Sequence, residues 1–62
     1  MAGTLLKFYE KAQAEGGLQM KMRLAIATGI PSNKAGDAPD SPDVLAKFRS
    51  AFKEITGKDA GI

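Results

Sequence analysis

Residues 18–29, LQMKMRLAIATG, decide how this chain of 62 residues folds. At about 100° per residue on a helix, the segment carries two apolar stripes on nearly opposite sides. One stripe contains Leu18, Met22, Ala25 and Ile26, and the other contains Met20, Leu24 and Ala27. A helix that is apolar on two sides needs two neighbours to cover it. Either the other helices of the same chain cover both stripes, or the second stripe meets another subunit.

The preceding segment predicts a first helix over about residues 4–15, with Thr4 as its N-cap. Its apolar positions share one face: Leu5, Phe8, Tyr9 and Ala12. Gly16 and Gly17 follow, and a glycine can adopt the left-handed conformation that ends a helix. The chain is therefore expected to turn before the second helix, which spans about 18–28.

A third helix is predicted over about residues 42–56. Ser41 is a favourable N-cap, Pro42 suits the first helical position, and Asp43 places an acid near the positive end of the helix dipole. Gly57 follows the last apolar position and is expected to end the helix. The apolar residues of this helix form a single face, so we expect one neighbour to cover it.

A long loop over residues 29–41 joins the second and third helices, and its glycine and proline residues interrupt any longer helix. One helical turn over about 32–35 fits within it. The loop either carries function or only lets the third helix cross back over the bundle. Residues 58–62 are predicted to form a flexible tail. We therefore predict a single all-α domain, built as a small three-helix bundle.

The composition excludes most catalytic and metal-binding chemistry. The chain has no histidine, cysteine or tryptophan, and its formal net charge is +2. Without histidine and cysteine it lacks the usual general bases near neutral pH, thiolate nucleophiles and soft metal ligands. Asp37, Asp40 and Asp43 recur at every third position but do not have the EF-hand spacing. We therefore predict no enzymatic activity, no cofactor and no metal site.

The same sequence predicts a cytoplasmic protein. No stretch approaches the roughly 20 apolar residues of a membrane-spanning helix. The N-terminal residues do not resemble a signal peptide. The absence of cysteine argues against a small secreted domain held by disulfides.

The two-sided second helix predicts a non-enzymatic protein-protein interaction or regulatory module. Its contact surface is expected to centre on Met20, Leu24 and Ala27. Lys21 and Arg23 flank these residues and would set the register of binding more than its affinity. The expected partner is a protein, and a second copy of the chain, giving a homodimer, is the simplest one.

A small DNA-binding protein is the alternative interpretation. Ala25 and Gly29 have the spacing of a tight helix-turn-helix, in which alanine allows close approach and glycine forms the turn. This short segment resembles the turn of many bacterial repressors. The resemblance implies that a recognition helix follows the turn and that these residues would contact nucleic acid: Arg23, Ser32, Asn33 and Lys34.

Overall fold

The computed structural model describes residues 3–38 and 41–62, and in those ranges it contains three helical elements. They are α1 (Thr4–Thr28), α2 (Ser32–Ala35) and α3 (Pro42–Thr56). Neither described range contains a strand, and the all-α prediction is confirmed. Pro39 and Asp40, which belong to the predicted loop, lie outside the described residues.

A two-residue turn interrupts α1, and we call residues 4–15 its first arm and residues 18–28 its second arm. Gly16 has φ −148° and ψ 19°, and Gly17 has φ 70° and ψ −156°. A straight helix of 25 residues would be about 38 Å long, whereas the longest extent of the described chain is 26 Å. The chain therefore bends sharply at this turn. Because a side chain strongly disfavours the dihedral angles of Gly17, the turn depends on a glycine there.

The start of α3 agrees with the prediction, whereas the start of α1 does not. The Ser41 Oγ accepts a hydrogen bond from the backbone N–H of Val44 at 3.4 Å, as an N-cap does. At the start of α1 the N-cap is Gly3, and no side chain caps the helix. The backbone N–H of Lys7 donates to the Gly3 carbonyl at 3.3 Å, so Thr4 is already the first helical residue.

The predicted glycine ends of the second and third helices are observed. Gly29 and Gly57 are the C-caps of α1 and α3, and both have left-handed backbone conformations. Their N–H groups donate to the carbonyls of Ala25 and Lys53 at 2.8 and 2.7 Å, respectively. The single turn expected within the long loop is α2, and it spans four residues.

Aromatic rings from the first arm and from α3 form the centre of the core. The ring centroid of Phe8 lies 5.6 Å from that of Phe48 and 6.4 Å from that of Phe52. The Tyr9 ring packs edge-on against Phe48 at 5.8 Å. Such tilted and edge-on pairs are favourable beyond the area that they bury. The buried apolar residues of the described chain are Leu5, Phe8, Tyr9, Ala12, Leu24, Ala35, Phe48, Ala51, Phe52 and Ala60.

One hydrogen bond ties the residues just after the second arm to the first arm, and local bonds order the end of the second arm. The Tyr9 hydroxyl donates to the Ile30 carbonyl. The Thr28 hydroxyl donates to the Leu24 carbonyl at 2.8 Å and accepts from the Ile30 N–H at 3.3 Å. Burial raises the pKa of the Tyr9 phenol above its ordinary value, and its interaction with the Thr28 side chain partly opposes that shift.

Residues 58–62 contact the body of the molecule, and their flexibility stays a prediction. Ala60 is buried, and Ile62 packs against the core. The Arg49 Nε donates to the Ile62 carbonyl at 3.2 Å. The Lys58 ammonium lies 3.0 Å from the Glu15 carboxylate, at the end of the first arm. The pair is largely exposed, so its contribution to stability is expected to be small.

We predict that Gly17→Ala lowers the free energy of unfolding by about 1–3 kcal/mol, because an L-residue is strained at these dihedral angles. No atom would contact the added Cβ, so the loss would come from the backbone alone. The matched control is chemical synthesis with D-alanine at the same position, where the angles are relaxed. Urea unfolding should show the D-alanine chain to be at least as stable as the wild type. If L-alanine and D-alanine lowered the free energy of unfolding equally, backbone strain at position 17 would not be the cause.

We predict that Tyr9→Phe costs about 1 kcal/mol at neutral pH, because the bond to the Ile30 carbonyl is lost. The folded-state pKa is raised, so the phenol stabilises the fold below about pH 10 and this contribution disappears as the pH rises through the folded pKa. Urea unfolding of both proteins at increasing pH should show the difference shrinking in that alkaline window. Ultraviolet titration of the single tyrosine gives its pKa directly. A pKa at or below the ordinary value would contradict the prediction.

Candidate interaction surface on the second arm

The structure places the predicted contact residues on more than one side of the second arm. Leu24 is fully buried in the core, and Met20 is half-buried against it. Ala27 and Arg23 are exposed, and Lys21 is half-buried. Leu24, at the centre of the predicted contact surface, therefore lies in the interior of the fold, whereas Ala27 and Arg23 are exposed.

The opposite stripe is the one that faces solvent. Leu18 is 65 % exposed, Met22 57 % and Ile26 80 %. The three follow one another at intervals of four residues, which places them along one face of a helix. We call Leu18, Met22 and Ile26 the outer stripe; it extends about 12 Å along the arm. Single exposed apolar residues are common, but three in a row on one helix face are a candidate interaction site.

The buried side of the arm explains this orientation. Leu24 and Thr28 are four residues apart and both face inward. Thr28 can be buried because its hydroxyl donates to the Leu24 carbonyl and accepts from the Ile30 N–H. Because Leu24 and Thr28 point into the core, Met22 and Ile26, which lie on the opposite side of the helix, point into solvent.

The charges next to the outer stripe are positive. Lys21 and Arg23 lie on either side of Met22, each about 100° around the helix. From residue 16 to residue 36 the sequence contains these two residues, Lys34 and no acidic residue. The carboxylate that precedes the turn, Glu15, is paired with a lysine at 3.0 Å.

The residues of the DNA-binding alternative lie on two elements. Arg23 is exposed on the second arm, and Ser32, Asn33 and Lys34 belong to α2. The Gly29 N–H donates to the Ala25 carbonyl, which is the bond of a left-handed C-cap that ends the second arm. However, α2 is a single turn about 6 Å long, which offers few positions to contact base edges.

Across residues 3–38 and 41–62, the surface has no pocket and no cluster of three carboxylates that could hold a metal ion. Within the same ranges, no helix is both long enough and apolar enough to cross a membrane. Comparison with known protein families, with curated proteins and with solved structures gives no match to this chain. The outer stripe is therefore the surface feature from which a function is inferred.

We predict that Leu24→Ala lowers the free energy of unfolding by about 2–5 kcal/mol, since it leaves a cavity in the core. The matched change on the opposite face, Ile26→Ala, is expected to alter stability by about 0.5 kcal/mol or less, since Ile26 is 80 % exposed. Urea unfolding of the two variants measures both values. A larger loss at Ile26 than at Leu24 would show that the arm is rotated the other way.

Proposed function

We propose that this protein is a non-enzymatic protein-interaction module that binds its partner through the outer stripe. The observation that carries the proposal is the exposure of Leu18, Met22 and Ile26 on one helix face. Removing apolar side chains from water favours association. Side chains spaced by four residues are also a common way in which a helix is recognised by its partner.

The packing of the second arm supports this proposal. The second arm begins directly after the turn at Gly17. At its other end, the Thr28 hydroxyl forms hydrogen bonds with the backbone of Leu24 and Ile30, which order the last turn. Leu24 fixes the face that points inward. An already ordered helix loses little conformational freedom on binding, and this favours affinity.

A homodimer through Met20, Leu24 and Ala27 has less support than binding through the outer stripe, because Leu24 is buried in the fold. DNA binding through Arg23 and α2 has less support than protein binding. Its recognition element is one turn long and is followed by Asp37, whose charge opposes approach to phosphates. A cytoplasmic location is consistent with the absence of cysteine.

We predict that a benzophenone amino acid in place of Ile26 forms a specific adduct in lysate of cells that express the protein. The same group in place of Ser50, which is exposed on α3, is the matched control and should not form that adduct. Excess unlabelled wild-type protein should suppress the adduct, whereas Met22→Glu protein should not, because a buried carboxylate opposes binding. Gel electrophoresis and mass spectrometry identify the products.

Circular dichroism should first show that the Met22→Glu protein unfolds at the wild-type temperature, since this side chain is 57 % exposed. Identical adducts at both positions, or equal competition by both proteins, would contradict the proposed function.

A further inference from the structure

The cations beside the outer stripe restrict what can cover it. Lys21 and Arg23 flank the stripe on its two sides, and Lys34 is exposed on the neighbouring element. No acidic residue lies between residues 16 and 36. The stripe is therefore an apolar line between positive borders, and its electrostatic complement is negative on both sides.

A second copy of the chain does not supply that complement. If two stripes paired antiparallel about Met22, each flank would face the same flank of the other copy, so Lys21 would approach Lys21 and Arg23 would approach Arg23. In a parallel pair, Lys21 of each copy would approach Arg23 of the other. Both arrangements place cations together, which opposes association.

We infer that the partner presents an acidic amphipathic helix, with an apolar stripe bordered by glutamate or aspartate on both sides. The inference rests on the proposed function. Apolar side chains of such a helix would cover Met22 and Ile26, and its carboxylates would face Lys21 and Arg23. Arginine and a carboxylate can form two parallel hydrogen bonds, which adds geometric specificity.

The width of the stripe favours a helix over an anionic bilayer. Helices that lie in a membrane interface have a broad apolar face with large aromatic or leucine side chains. Here the apolar line is one side chain wide and about 12 Å long. Gln19, beside the stripe, is polar and exposed. One other large apolar side chain of the described residues is exposed, Leu6, and it lies near Gly36. No other large apolar side chain of the second arm is exposed, so the arm itself does not present a broad membrane-binding face.

The test uses two synthetic helical peptides of about 20 residues, long enough to be helical in water when rich in alanine. Both carry the same leucine stripe, and its flanks are glutamate in one peptide and lysine in the other. Methyl NMR of the full-length protein should show the glutamate peptide shifting the signals of Leu18, Met22 and Ile26. Raising the salt from about 50 to about 500 mM should weaken this binding roughly threefold or more.

Reversing one charge provides the matched control. Arg23 is exposed, so Arg23→Glu should keep the fold, weaken binding of the glutamate peptide about fivefold and strengthen binding of the lysine peptide. Met22→Glu should weaken binding of both peptides.

Four results would overturn the inference: no shift with the glutamate peptide, equal binding of both peptides, sedimentation showing self-association through the stripe, or tighter binding to phosphatidylglycerol vesicles than to the peptide. If the crosslink at Ile26 persists while the glutamate peptide does not bind, only the acidic-helix inference fails. If the crosslink is absent as well, the proposed function fails with it.

Discussion

The burial of Leu24 fixes the rotation of the second arm about its own axis, and the character of the molecular surface depends on that rotation. This leucine is the one large side chain of residues 18–28 that is fully inside the described fold. Turning the arm to expose it would remove a large side chain from the core, at a cost of several kcal/mol by the scale of large-to-small core substitutions. The apolar residues on the other side must then face solvent. The outer stripe is thus a consequence of core packing.

The size of the chain explains why one stripe is left uncovered. A domain of about 60 residues buries only about 60 % of the surface that its unfolded chain exposes. Here the aromatic rings of the first arm and α3 occupy the centre of the core. The second arm adds one large, fully buried side chain, Leu24. No further helix in the described chain is available to cover Met22 and Ile26. An apolar face of this kind is compatible with folding and available for binding.

The signals that could be read from the sequence were local ones. The limits of α3 follow from Ser41, Pro42 and Gly57, and the break in α1 follows from paired glycines. The rotation of the second arm could not be read, because its two stripes are similarly apolar and only contacts with the other helices distinguish them. Thr28 is an example: its side chain is polar, yet it is buried because its hydroxyl bonds to nearby backbone groups.

The same limit applies to the candidate site and to the tail. The sequence shows the two apolar stripes of residues 18–28 and their flanking cations, but the predicted contact surface centres on the stripe whose Leu24 is buried. The position of the tail depends on Ala60 and Ile62, two apolar residues too isolated to form a recognisable pattern.

The turn at Gly17 has a consequence for how the protein can change over generations. Every single-nucleotide change that replaces glycine with something else introduces a residue with a Cβ atom or a stop signal. At φ 70° and ψ −156° each such replacement is strained from the outset. Inherited substitutions are therefore expected to accumulate at exposed positions of the two arms outside the outer stripe and to be rare at Gly17.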